Sequence, residues 1–198
     1  MRSFVCACVA VAVLAGAPGA RSAAQQQAFL PILDHIHLNV PDQAAGVKVT
    51  TPVREVQGLF KLGFVEDPWG TRIEVVQDPD KLGLHHVHLR APDTASVLAW
   101  YKERFGGENA KLKDRLEGLR FSGVWLLAQR GDATPSNGRA IDHIGFRTSN
   151  LDQVASDFKA HGVTFTTEPR PLRLAGGTTV QFAYIEGPAG AKVELVQR

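Results

Sequence analysis

Apolar and polar residues alternate with a period of two in three similar segments: Leu33-Asp34-His35-Ile36-His37-Leu38, His85-His86-Val87-His88-Leu89 and Ile141-Asp142-His143-Ile144-Gly145-Phe146. Side chains on successive strand residues point to opposite faces, so each segment predicts a half-buried strand. Asp67-Pro68-Trp69-Gly70 and Gly187-Pro188-Ala189-Gly190 each place a Pro-X-Gly turn before another alternating run, at 71–77 and 191–197. The chain is therefore built from repeats of one unit.

The third repeat is the most complete. Strand 140–147 leads through Asn150, an N-cap residue type, into a helix over 151–161 that His161 and Gly162 close. Strands near 163–168, 179–186 and 191–197 complete a βαβββ module. The second repeat predicts strand 84–90, then Asp93 capping helix 94–105 with an apolar stripe of Val97, Leu98, Trp100, Tyr101 and Phe105, then strands within 110–129. The loop 131–138 has linker composition.

The first repeat is short. His35 and Glu74 are 39 residues apart, whereas the corresponding His143 and Glu194 are 51 apart. Aligning Gly46-Val47-Lys48-Val49 with Gly162-Val163-Thr164-Phe165 puts eight of the twelve missing residues where the helix belongs. The segment 41–45 cannot make three helical turns. This module, 31–82, is expected to supply strands without a helix and to leave one sheet face poorly covered.

The N-terminus changes the reading of charge and cysteine. Arg2, an apolar run from Phe4 to Leu14 and Ser22-Ala23-Ala24 before Gln25 read as an export signal over residues 1–24, which implies a periplasmic or secreted protein. Cys6 and Cys8, the only two cysteines, lie inside it, so the expected mature chain has neither disulfide nor thiolate chemistry. Removing Arg2 and Arg21 from 22 basic residues leaves 20 against 20 acidic ones. That balance gives no sign of nucleic acid as a partner. No later stretch is long and apolar enough to suggest stable membrane insertion.

Tandem βαβββ units, Asp-His-Ile-x-Phe opening one of them and a Pro-x-Gly turn running into x-Val-Glu-Leu closing it, resemble the vicinal oxygen chelate superfamily of glyoxalases, bleomycin-resistance proteins and extradiol dioxygenases. The resemblance implies an α+β fold in which repeated βαβββ modules form a curved, incompletely closed mixed sheet with helices outside. It implies pairing of modules 84–129 and 140–198 into one domain, 84–198. The odd first module is either a decayed second domain or a sign of pairing across a homodimer.

The resemblance also implies a divalent metal held by His86, His143 and Glu194, with His35 and Glu74 as a weaker second half-site. Leu126 stands where a second carboxylate would make a four-ligand, glyoxalase I set, so a three-ligand site is favoured. Two imidazoles and one carboxylate leave coordination positions open and suit Fe(II) or Mn(II), with Zn(II) or Ni(II) as alternatives. His88 shares a strand face with His86 and is either a proton shuttle behind the metal or a solvent-facing residue. His85 should point the other way, as a structural residue. Tyr184, ten residues before Glu194, matches a substrate-contacting position of the superfamily.

The expected function is that of a metal-dependent dioxygenase or lyase/isomerase that binds neighbouring oxygens of a small-molecule substrate. Export argues against a glutathione adduct, which belongs to the cytosolic thiol pool. The alternative is a non-catalytic binding or resistance protein of the bleomycin-resistance kind.

Overall fold

Each predicted strand becomes one in the computed structural model, which describes residues 46–81 and 83–198 and, through backbone pairing, 32–38. The expected leader and the gap at 41–45 lie outside the described residues. Twelve strands and two α-helices are described: β1 (Ile32–Leu38), β2 (Lys48–Glu55), β3 (Lys61–Glu66), β4 (Arg72–Gln77), β5 (His86–Ala91), α1 (Thr94–Phe105), β6 (Glu108–Leu112), β7 (Leu116–Phe121), β8 (Val124–Arg130), β9 (Ile141–Arg147), α2 (Leu151–Ala160), β10 (Phe165–Arg173), β11 (Thr179–Glu186) and β12 (Lys192–Gln197).

Local chemistry explains the helix boundaries. Asp93 accepts from the backbone N–H groups of Ala95 and Ser96, and Asn150 from that of Gln153, satisfying donors that the first helical turn leaves open. At the far end of α2 the backbone N–H of Gly162 (φ 75°) bonds the Lys159 carbonyl, and His161 donates Nδ1–H to the Asp157 carbonyl at 2.8 Å. His161 is thus accounted for by the helix terminus.

The strands form three open sheets, in the orders β1-β9-β12-β11-β10, β2-β3-β4 and β5-β8-β7-β6. In the second and third modules the first and last strands run parallel, β5 with β8 and β9 with β12, while the remaining pairs are antiparallel. The result is the mixed, unclosed arrangement expected of repeated βαβββ units.

Two features depart from expectation. The sheets of modules 84–129 and 140–198 are not joined edge to edge, but meet through a common hydrophobic core. Phe105 of α1 stacks on Phe146 of β9 with ring centroids 4.0 Å apart, and Phe158 and Phe121 add edge contacts. Of the α1 stripe, Val97, Tyr101 and Phe105 are buried, whereas Leu98 and Trp100 are only partly covered. The first module is also divided. Its β1 extends the third module's sheet, antiparallel to β9, while β2, β3 and β4 form a sheet of their own.

No helix is described in 46–81, and the outward face of the β2-β3-β4 sheet is bare: Val49, Ile73 and Val75 are 63%, 37% and 50% exposed. The opposite face carries Leu62, Phe64, Glu74 and Val76, paired Leu62 with Val76 and Phe64 with Glu74. Val76 packs against a second apolar cluster of Phe60, Leu112 and Leu127, which turns Glu74 towards β5.

Candidate metal centre

The turn that launches β4 is fixed by Asp67, whose Oδ1 accepts from the backbone N–H groups of Trp69 (3.0 Å) and Thr71 (2.7 Å). Three residues beyond it, Glu74 projects from the inward face. Its Oε2 lies 3.3 Å from Nε2 of His86 and 3.5 Å from Nε2 of His88. The two histidines share a face of β5 because they are two residues apart, and their rings meet edge to face at 4.7 Å. Among the described residues, Glu74, His86 and His88 are the group of three His, Cys, Asp or Glu ligand atoms within 4.8 Å of one another.

Burial grades this group. The side chains of His86, Glu74 and His88 are 7%, 16% and 34% exposed. Hydrogen bonds from His86 and then His88 hold the Glu74 carboxyl at about 2, against the opposing effect of burial. Glu74 is therefore ionised across the neutral range.

Behind His86, its Nδ1 lies 2.8 Å from Nδ1 of His85, and His85 Nε2 lies 3.2 Å from Asp78 Oδ2. Burial pushes the His85 pKa down, so this imidazole is neutral at neutral pH. A backbone N–H from Asp80 is the main influence holding the Asp78 carboxyl below its ordinary value. Phe60 packs edge-on against the His85 ring at 5.2 Å.

His143 and Glu194 meet elsewhere. His143 Nε2 is 3.6 Å from Glu194 Oε2, and both residues are buried. His143 donates Nδ1–H to Asp142 Oδ1 at 2.7 Å, and Asp142 also accepts from Lys192 Nζ and from the backbone N–H of Gly138. Burial pushes the Asp142 pKa up, but the bonds from Lys192, His143 and Gly138 outweigh it and hold the carboxyl well below the usual range. Tyr184 lies opposite Glu194 in the β11–β12 register, and its ring contacts His143 at 5.2 Å. Burial, then the Glu194 charge, push its hydroxyl up to about 12. On the other side of β9, the backbone of His37 pairs with His143, and that of His35 with Gly145.

The expected residues thus fall into two groups. His86 joins Glu74 and His88, and His143 joins Glu194 and Tyr184; His86, His143 and Glu194 do not form one cluster of ligand atoms. The division follows from the split first module, whose β4 serves β5 while its β1 borders β9. His35 and Glu74 are separated for the same reason. His88, expected behind the metal, stands level with His86. The register also corrects one equivalence: Glu194 lies opposite Gly145, and the matching partner of His88 is Leu127, not Leu126. Both leucines are buried, so the second module still lacks a last-strand carboxylate. His85 and Asp78 escaped the sequence reading because strand alternation alone turns residue 85 away from residue 86.

The three atoms satisfy one another when the imidazoles donate Nε2–H to ionised Glu74; a divalent ion would take the place of those protons, and one carboxylate oxygen with two imidazole nitrogens is a donor set that fits an ion of intermediate softness. Beside His88 opens a cleft of about 300 Å³, lined in part by Leu98, Arg115, Leu116, Leu127 and Gln129.

Comparison with known proteins agrees with this architecture. Residues 83–195 match the Glyoxalase/Bleomycin resistance protein/Dioxygenase superfamily. A probable lactoylglutathione lyase of Vibrio cholerae is 28% identical over 124 residues, covering 57% of this chain and 88% of the relative. The lactoylglutathione lyase of Salmonella typhimurium is 26% identical over 126 residues, covering 58% and 91%. Among solved structures, a glyoxalase I mutant from Zea mays superposes with a TM-score of 0.59 at 21% identity, over 85% of this chain and 69% of that one, a likeness of fold. Built from repeated βαβββ modules and matched over more than half its length, the chain belongs to the glyoxalase/bleomycin resistance protein/dioxygenase superfamily.

Proposed function

We propose that this protein is a metal-dependent enzyme of the lyase/isomerase type, acting on a small molecule that presents two neighbouring oxygens. The observation that carries the reading is the gathering of three potential ligand atoms from Glu74, His86 and His88 within 4.8 Å of one another. Both curated relatives bear the name lactoylglutathione lyase, which favours proton transfer over oxygenation.

Glu74, His86 and His88 would hold the ion, beside the cleft that His88 lines. A divalent ion there would polarise the substrate oxygens and stabilise negative charge as it develops. Phe60, Leu112 and Leu127 form an apolar wall that limits water at the site. His88 is the most exposed of the three donors and is the group suited to pass a proton between cleft and solvent.

The test is metal content and turnover of the full chain beside Glu74→Gln, after exposure to Mn(II), Fe(II), Zn(II) and Ni(II). The expected result is one equivalent in the parent, none in the variant, and metal-dependent formation or breakdown of lactoylglutathione or a related adduct. Ligand affinity that survives metal removal, without turnover, would instead favour a binding protein of the bleomycin-resistance kind.

A further inference from the structure

The cleft beside His88 carries a positive charge that no carboxylate among the described residues neutralises. Arg115 and Glu117 both border it, between walls that include Leu98, Leu116 and Leu127. Glu117 is ion-paired with Lys111 at 3.1 Å, directly across the β6–β7 ladder. Arg115 has a neutral partner instead: the backbone carbonyl of Gln57 accepts from its Nη1 at 2.7 Å.

The backbone around Arg115 is shaped to hold the guanidinium there. Lys113 and Asp114, with φ of 50° and 57°, form the β6–β7 turn that the Arg115 N–H closes on the Leu112 carbonyl at 3.1 Å. Both are left-handed, a conformation that glycine or asparagine adopts far more readily than lysine. The strained turn docks on the first module. Lys113 Nζ lies over the Phe60 ring at 4.7 Å, and Arg115 lies against Gly58, whose φ is 74°. A Cβ on Gly58 would stand 2.6 Å from Arg115 Nη1, so glycine both permits its own turn and leaves room for the guanidinium.

We propose that Arg115 is the anion receptor of this cleft and that the substrate is a small organic acid, apolar in its middle. Its carboxylate would sit at Arg115 and its neighbouring oxygens at the opposite end, beside His88. Gln57 occupies one of five N–H donors, which leaves a fork for a carboxylate. The leucine walls bury the apolar part, and they distinguish an organic acid from a bare inorganic anion. The position of the neighbouring oxygens rests on the metal reading; recognition of the carboxylate does not.

The test is an NMR titration of the full, metal-free chain with phenylacetate and with its neutral counterpart phenylacetamide. The parent should bind the acid roughly tenfold more tightly than the amide, as a hydrogen-bonded charge allows. Arg115→Gln should bind the two alike, and Arg115→Lys, which keeps the charge without the fork, should fall between. Gly58→Ala should weaken phenylacetate binding severalfold, because the new Cβ displaces Arg115. Inorganic phosphate should displace phenylacetate only at roughly tenfold higher concentration, since it buries no apolar surface.

No binding of phenylacetate, equal affinity for acid and amide in the parent, or a preference that survives Arg115→Gln would overturn the proposal. Phosphate that binds as tightly as phenylacetate would do the same. A parent that selects the acid but takes up no metal would sink the proposed function and leave the role of Arg115 standing. A parent that takes up metal without selecting the acid would do the reverse.

Discussion

Glu74 and His86 are twelve residues apart and belong to different modules, yet Glu74 Oε2 and His86 Nε2 lie 3.3 Å from each other. A proton on the imidazole or a metal ion occupies the space between them. The folded state holds the Glu74 carboxyl below its ordinary value, so its charge contributes stability at neutral pH, and metal-free Glu74→Gln should be less stable than the parent. A divalent ion at 100 times its Kd should stabilise the parent by about 2.7 kcal/mol. For a chain of this size that raises the melting temperature by roughly 5–10 °C. Thermal scans with and without Mn(II) check this, and a metal-dependent rise that persists in Glu74→Gln would exclude Glu74 as a ligand.

The stack of Phe105 on Phe146 ties the second module to the third. Phe146 is fully buried and touches three rings of the second module, Tyr101, Phe105 and Phe121, so Phe146→Ala opens a cavity at the place where the modules meet. The expected cost is about 3–5 kcal/mol. Because the two modules share one core, residues 84–198 should lose structure in a single transition, at lower urea and with an unchanged slope. Two resolved transitions in the parent would show that the shared core does not couple the modules.

Much of this architecture was legible from the chain, and the limits have physical causes. Strand alternation, the Asp93 and Asn150 caps and the Pro-X-Gly turns are local signals, and they placed β1, β4, β5, β9, β11, β12 and both helices within a few residues, while β2 and β3 were not placed and β6 to β8 were read only as strands within 110–129. The shortness of the first module was readable as a count of residues between His35 and Glu74; the segment where its helix would lie is outside the described residues. What spacing could not reveal was which sheet edge each strand of that module joins. A strand's apolar pattern says that it pairs, not with which neighbour, so β1 pairing with β9, and the separate β2-β3-β4 sheet turning Glu74 towards β5, are tertiary outcomes. That choice redistributed the expected ligands, sending His86 to Glu74 and leaving His143 with Glu194. The contacts of His85 with His86 and Asp78 were hidden by the same rule that correctly put His86 and His88 on one face.

The pairing of β1 with β9 makes its own prediction. Ile36 lies opposite Ile144 in this register. Ile36→Pro removes a backbone N–H and fixes φ in the middle of this edge strand, which weakens the pairing where that N–H faces β9. Amide exchange along β9 should speed up, while the Glu74, His86 and His88 group keeps its metal affinity, since β1 is not part of that sheet. Unchanged exchange at Ile144 and Phe146 would contradict the register.

Asp142 gives the protein a defined acid sensitivity. Its carboxyl collects hydrogen bonds from Lys192 Nζ at 2.8 Å, His143 Nδ1 at 2.7 Å and the backbone N–H of Gly138 at 2.7 Å, and its backbone carbonyl accepts from Ser136 Oγ. These bonds depress its pKa in the folded state below the ordinary value of 3.8 despite burial. A group depressed by folding contributes stability that is fully present above the unfolded pKa and lost as pH falls through the folded one. The contribution is therefore intact at neutral pH and drains away only below about pH 4. Asp142→Asn keeps an acceptor but loses the charge that Lys192 needs, at an expected cost of about 1–3 kcal/mol near neutrality. Because protonation removes the same charge from the parent, the difference should shrink towards zero in strong acid. Urea unfolding of both proteins at about pH 7 and at decreasing pH down to about 2 follows the start of that convergence. A stability difference that stays constant over this range would mean that the Asp142 charge does not hold the 131–138 loop and His143 in place.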